Sequence, residues 1–136
     1  MAANTVPIFP IAGQISWGTL ATANTAKDGT GTIVTVFTAD ATNGSRVDSI
    51  IVRPKGTNVA SVLRVFINNG SDNATATNNT LYTERTLPAS TLSEVAELSG
   101  LILTMNLVLP AGYKLNCTIG TTIAAGVAVT AVGGKY

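Results

Sequence analysis

The stretch Leu101-Ile-Leu-Thr-Met-Asn-Leu-Val-Leu-Pro-Ala-Gly-Tyr-Lys-Leu-Asn-Cys-Thr-Ile-Gly120 decides the fold of this chain. Every second position of its first nine residues, 101–109, is a large apolar residue, and the alternate positions include Thr and Asn. Such alternation is typical of a β-strand with one face in a core. Segment 110–112, Pro-Ala-Gly, supplies turn residues, and apolar and polar residues alternate again over 113–119. The stretch therefore predicts two strands joined as a β-hairpin.

The same alternation recurs along the chain and predicts about eight strands in all. Turns rich in Asn, Asp and Gly, such as 40–44, separate the strands. The remaining predicted strands are 14–22, 31–39, 46–54, 58–68, 79–87 and 125–133. Short antiparallel strands with polar turns favour an all-β fold, a single antiparallel β-sandwich or jelly roll over residues 14–136. The length of 136 residues fits one such domain.

One segment breaks the strand rhythm and predicts a short helix. In residues 88–97, Ser90 or Thr91 stands where an N-cap would, and Glu94 follows Thr91 by three positions. This spacing matches a capping box, in which the Ser or Thr and the Glu side chains satisfy the first amides of a helix. A helix of about one to two turns is expected here.

The first thirteen residues predict an extended N-terminal arm. The segment is apolar, yet its prolines lack the amide hydrogen that a strand ladder needs. Such an arm needs a partner surface, so its large side chains and a nearby Trp are the predicted binding residues: Val6, Ile8, Phe9, Ile11 and Trp17. The alternative is that the arm folds back as an edge of its own sandwich, with Trp17 as its anchor.

Composition argues against catalysis, cofactors and metals. The chain has no His and a single Cys, which removes Ser-His-Asp and Cys-His sites as well as zinc. Asn69, Asp72 and Asn73 are the one plausible calcium cluster, but no Glu completes a loop motif. We therefore expect no enzyme, no cofactor and no metal. A carbohydrate-binding role remains open, since Trp17 or Tyr82 would suit a sugar platform.

Charge and the N-terminal sequence argue against nucleic acid and membrane partners. The net charge is +1, and the eight Lys and Arg residues are scattered along the chain. Binding to phosphates or to anionic lipid needs a clustered basic face. No basic residue precedes the first apolar stretch, so no secretion signal is expected.

Three blocks of the sequence resemble small proteins encoded among the head genes of tailed bacteriophages. The blocks are residues 53–69, 107–115 and 119–136, and the likeness covers most of the chain after about residue 45. Size, strand pattern and absence of chemistry make the chain similar to phage capsid decoration, or cement, proteins of the jelly-roll type.

The resemblance implies a structural virion protein with no catalytic residue. Such a protein is made in the cytoplasm of the host bacterium, binds the major capsid protein on the outer capsid surface and forms a homo-oligomer. A homotrimer is the favoured state and a homodimer is possible. The alternative is a receptor- or glycan-binding module of a tail or head fibre.

Overall fold

A computed structural model of the chain describes residues 9–136 and contains eight β-strands. The strands are β1 (Ala12–Leu20), β2 (Val34–Thr38), β3 (Ser45–Pro54), β4 (Ser61–Asn68), β5 (Asn79–Leu87), β6 (Leu101–Leu109), β7 (Lys114–Ile119) and β8 (Val127–Lys135). Within these residues a 3-10 turn at Ala76–Asn78 is the only helical element. Each predicted strand overlaps an observed strand, so the strand number and positions are confirmed.

The strands form two four-stranded antiparallel sheets. Sheet A has the order β1-β8-β3-β6, and sheet B has the order β2-β7-β4-β5. The first four strands pair with the last four in reverse, as β1 with β8, β2 with β7, β3 with β6 and β4 with β5. The chain is thus one long hairpin, rolled so that successive pairs alternate between the sheets. This order is that of a jelly roll, which confirms the predicted fold class.

The core lies between the sheets and is almost entirely apolar. It takes the inward-facing residues of all the strands except β1 and β5, which each contribute only their last residue, Leu20 and Leu87. The largest fully buried side chains between the sheets are Phe37, Ile50, Leu63, Leu87, Leu109, Leu115, Ile119 and Ile123. Cys117 is also fully buried, and this burial raises the pKa of its thiol from an ordinary 9.0 to about 12.

The buried thiol predicts a loss of stability in alkaline solution. A pKa that is higher in the folded state means that the stability contributed by the neutral thiol is present below pH 9 and is lost as the pH rises towards 12. The slope from one such group approaches about 1.4 kcal/mol per pH unit. Urea unfolding of the wild type and Cys117→Ala between pH 8 and 11 measures this loss as the difference between the two proteins, which cancels every contribution that does not come from Cys117. Parallel pH profiles would contradict the prediction.

The predicted hairpin at 101–120 is wrong, although both of its strands are present. β6 pairs with β3 in sheet A, whereas β7 lies in sheet B with β2 on one side and β4 on the other. Both edges of β7 are therefore occupied. The turn at 110–113 instead carries the chain from one sheet to the other, closed by the Tyr113 amide, which donates to the Pro110 carbonyl at 3.1 Å.

The predicted helix at 88–97 is also wrong, since this segment is irregular. Ser90 forms an antiparallel bridge with Asn58, exchanging two backbone hydrogen bonds of 2.9 and 3.1 Å. The Leu92 amide donates to the hydroxyl of Thr57. These long-range partners take the groups that a helix start would use, so the local capping signal is overridden.

The connection between β1 and β2, residues 21–33, crosses the outer face of sheet B. Its first part bridges to Ile119 of β7, and its later part is held by Asn79 of β5, whose amide donates to the Asp28 carbonyl at 3.2 Å. Because β4 lies between β7 and β5, the segment passes over β4. Phe66 of β4 faces outward, on the side opposite the neighbouring core residues, yet it is completely buried.

Candidate functional site

The outer face of sheet A carries two rows of side chains that the strand register aligns. The first row is Trp17, Thr130, Ile51 and Ile102, and the second is Ile15, Val132, Ser49 and Thr104. None of these eight side chains is ionisable. Trp17 is 72% exposed and Ile102 is 75% exposed. A cluster of large exposed apolar side chains is typical of an interaction surface.

The relief of this face follows from the strand order. The large exposed apolar side chains lie on the two edge strands. They are Ile15 and Trp17 on β1 and Ile102 and Val108 on β6. The central strands β8 and β3 present shorter or partly covered side chains, which are Ala128, Thr130, Val132, Ser49 and Ile51. The face is thus a shallow trough between two apolar ridges.

Each end of the face is closed by an ion pair. Arg46 donates from Nε to Asp48 Oδ1 at 2.8 Å and from Nη2 to Asn106 Oδ1 at 3.0 Å. Asp48 lies where the register of β3 shifts, and Asn106 has a positive φ of 45° in the facing bulge of β6. At the other end, Arg53 lies 3.5 Å from Glu97. Lys55 lies at this same end and donates from Nζ to the Thr19 hydroxyl at 2.9 Å, so this end carries more positive than negative groups.

Three of the five predicted binding residues lie in the described part of the chain, and all three are exposed. Phe9 and Ile11, 72% and 80% exposed, precede β1, and Trp17 lies on the outer face of sheet A. Pro10 packs closely against Gly134 of β8. A Cβ added to Gly134 would lie 2.5 Å from the Pro10 Cβ. Val6 and Ile8 lie outside the described residues.

Sequence reasoning missed the rest of this face. Ile15, Ile51, Ile102, Val108 and Val132 occupy alternate positions of their strands, and their apolar character is visible in the sequence. The signal was incomplete, because the strand order that brings them together is set by long-range pairing.

A second concave region lies between the edge strands β5 and β6. It is a groove of about 310 Å³ lined by Tyr82, Thr83, Arg85, Leu103, Thr104 and Met105. Its mixture of an aromatic ring, hydroxyl groups and a guanidinium differs from the two uncharged rows on the outer face of sheet A.

The carboxylates mostly perform structural roles. Asp28, Asp40 and Asp72 accept hydrogen bonds from amides two or three residues ahead. The pKa of Asp28 is lowered first by the Thr30 hydroxyl and then by the Thr30 amide, and the pKa of Asp40 is lowered by the amides of Asn43 and Thr42. Glu84 pairs with Arg64 at 2.9 Å. Over residues 9–136, no three His, Cys, Asp or Glu side chains come together where a metal ion would bind.

The polar loop after β4 uses its side chains to build itself. The side-chain amide of Asn73 donates to the backbone carbonyls of Gly29 and Gly31 at 3.2 and 3.1 Å. Asn69 accepts a hydrogen bond from the Ser71 amide. Within the cluster considered for calcium, Asn73 therefore clamps the loop to segment 21–33, whereas Asn69 and Asp72 bond within the loop itself.

In the region that the structure covers, no helix is long and apolar enough to cross a membrane. No protein-family model matches the sequence, and no curated protein matches it. Among solved structures, the chain is similar to a chain of the cyanophage Pam1 capsid asymmetric unit, with 19% sequence identity and a TM-score of 0.45. The match covers 99% of this chain and 94% of that chain.

Proposed function

We propose that this protein is a non-enzymatic structural component of a phage head that binds the outside of the assembled capsid and stabilises it. The observation that carries the proposal is the exposed apolar run before β1, which continues onto the outer face of sheet A. Ile11 and Trp17 fall on the same side of the extended chain by period-two spacing. The assignment to a phage head is supported by the sequence blocks 53–69, 107–115 and 119–136, which resemble phage head proteins.

The predicted arm supplies the attachment in this proposal. Its large side chains Val6, Ile8, Phe9 and Ile11 would each contribute roughly 1.5–3 kcal/mol on burial, before the cost of ordering the arm. Contacts of this size are repeated at every copy on a shell, and avidity multiplies them. A rigid jelly roll with an apolar arm suits attachment to a regular lattice, with the major capsid protein as partner.

Removing the arm tests this proposal. We expect deletion of residues 1–9 to reduce occupancy on capsids stripped of this protein at least tenfold, because the apolar contacts are lost. The deletion stops before Pro10 and retains Ile11. The backbone amide of Ile11 donates to the Lys135 carbonyl at 2.8 Å, so the pairing of β1 with β8 is kept. Occupancy is measured by co-sedimentation and gel densitometry with capsids of the phage that carries the gene. Unchanged occupancy of a folded deletion variant would refute arm-mediated attachment.

The groove beside Tyr82 favours a glycan-binding virion module as the second candidate. Aromatic rings and hydroxyl groups are suited to sugars, and Tyr82 is 44% exposed at the groove. Under this alternative, Tyr82→Ala abolishes binding on a glycan array and leaves capsid occupancy intact, whereas the arm deletion spares glycan binding. The two variants therefore separate the two functions.

A further inference from the structure

We propose that the groove between β5 and β6 receives an extended peptide segment that pairs as an added strand with the edge of β6 and places an acidic side chain on Arg85. This inference goes beyond attachment through the arm and does not depend on it. Its basis is the open side of the sandwich, the unprotected edge of β6 and an arginine without an acidic partner.

The two sides of the sandwich differ in how their edge strands meet. On one side β1 and β2 are tied together, since the Gln14 side chain donates to the Thr38 carbonyl at 2.6 Å and the Ser16 hydroxyl donates to the Val36 carbonyl. On the other side β5 and β6 are separated by the groove of about 310 Å³. This volume is at the lower end of the range for ligand pockets, about 300–1,000 Å³. The sandwich is therefore closed along one side and open along the other.

The groove follows the backbone edge of β6. Successive side chains of a strand point to opposite faces, so a groove lined by the consecutive residues Leu103, Thr104 and Met105 runs along the edge of the strand. β6 is the last strand of sheet A, so the backbone groups on this edge have no strand partner among the described residues. A peptide that extends a sheet pairs with such groups. The exposed edge therefore favours an extended peptide over a sugar as the occupant.

Of the two edges at the groove, that of β6 is suited to an added strand. Edge strands of natural proteins are usually protected by charged side chains, proline or bulges. β5 has a bulge at Tyr82, which has no partner in the register with β4, and it carries the charged residues Glu84 and Arg85. β6 has no charged residue or proline over 101–109, and its register with β3 is regular up to Thr104. This regular part offers about 14 Å of edge.

The opposite wall of the groove is polar where a core strand would be apolar. Thr83 and Arg85 pair with Val65 and Leu63 of β4, which both face the core, so their side chains lie on the inner side of sheet B. In β5 only Leu87 joins the core. A strand with polar residues at inward positions departs from the pattern of a folded core, and such departures are expected at binding sites.

The charge of the groove selects an acidic occupant. Arg85 is the only one of the four arginines without an ion pair in the part of the chain that the structure describes. Residues 1–8 contain no Asp or Glu, so they supply no acidic side chain either. A guanidinium binds a carboxylate through two parallel hydrogen bonds. An Asp or Glu side chain on the added strand is therefore the complementary group.

Selection from a displayed library of random twelve-residue peptides tests the charge of the occupant. The wild type is expected to enrich peptides that carry Asp or Glu among alternating β-branched residues. Arg85→Glu is expected to enrich Lys or Arg at that position instead, and Arg85→Gln is expected to lose the preference. A wild-type selection without acidic peptides, or an Arg85→Glu selection that retains them, would overturn the proposal.

Lys55→Glu is the matched control for this charge reversal. Lys55 is exposed and contacts Thr19 of β1, on the closed side of the sandwich. The variant changes the net charge by the same amount as Arg85→Glu and is expected to keep the acidic preference. A preference that follows net charge, and changes equally in both variants, would show that Arg85 does not hold the acidic group.

Backbone methylation of an enriched peptide tests the strand pairing itself. In an added strand, alternate amides point towards β6 and the others point away from it. Peptides N-methylated on one alternate set are expected to bind at least tenfold more weakly than the parent in fluorescence anisotropy, whereas methylation of the other set leaves the affinity unchanged. Equal effects of the two sets would exclude pairing with the edge of β6.

An acidic glycan is the competing occupant of the groove. An alginate oligosaccharide, which carries a carboxylate on every sugar, is the probe for this class. The wild type is expected to bind it no more tightly than Arg85→Gln does, because a sugar makes no use of the strand edge. Alginate binding that Arg85→Gln abolishes, in a protein that selects no acidic peptide, would assign the groove to a glycan and refute the peptide.

Discussion

Gly133→Ala is expected to lower the melting temperature by about 10 °C, equivalent to a loss of about 3 kcal/mol. A Cβ at this position of β8 would overlap the carbonyl oxygen of Arg46 and would lie 2.9 Å from its carbonyl carbon. The obstacle is backbone of the neighbouring strand β3, so no side-chain rotation relieves it. Sheet A has to separate locally or lose part of its ladder.

Gly13→Ala is the matched control for this substitution. Gly13 lies on β1 in the same sheet, and an added Cβ there meets nothing within 4 Å. Its free energy of unfolding is expected to stay within about 0.5 kcal/mol of the wild type. Thermal and urea unfolding of both variants give the comparison. Equal stability of the two variants would show that β3 and β8 are not packed as closely as described.

Phe66→Ala is expected to cost about 3–5 kcal/mol, the usual range for removing a buried aromatic ring. Phe66 is completely buried on the outer side of β4, beneath segment 21–33. Arg64, on the same side of β4, donates to the Asn24 carbonyl of that segment at 3.4 Å. Loss of the ring therefore removes the packing under the segment as well as lowering global stability.

A local readout separates this effect from simple destabilisation. Lys27 lies exposed in segment 21–33, and trypsin cleavage after it is expected to accelerate in Phe66→Ala below the melting transition. Phe9→Ala, at a 72% exposed ring before β1, is expected to change neither stability nor cleavage. If Phe66→Ala unfolds like the wild type, the segment does not depend on this ring.

Local patterns in the sequence were sufficient to predict the strands but not how the strands pair. Alternating side chains fix which residues of β6 face the core, and Leu103, Met105 and Leu109 are indeed buried. The turn at 110–112 has the same residue types whether it joins neighbours in one sheet or crosses between sheets. Its role depended on whether β3 or β7 offered β6 a free edge, which no local signal reveals.

For the candidate site, too, the sequence predicted individual residues but not how the strands bring them together. Phe9, Ile11 and Trp17 were identifiable because large apolar residues stood in an arm or beside it, and each is exposed. Ile51 and Ile102 join Trp17 only through the pairing of β3 with both β8 and β6. Long-range pairing, rather than residue type, therefore created the part of the surface that the sequence did not predict.

The nested pairing of strands also sets the order in which the protein can assemble. Only β4 and β5 are neighbours both in sequence and in a sheet, so among the paired strands they close at the smallest entropic cost. Each later pair encloses the earlier ones, and β1 waits for β8, which the ribosome makes last of the eight strands. Folding is thus expected to be slow and largely post-translational, because β1 has no sheet partner until β8 has been made.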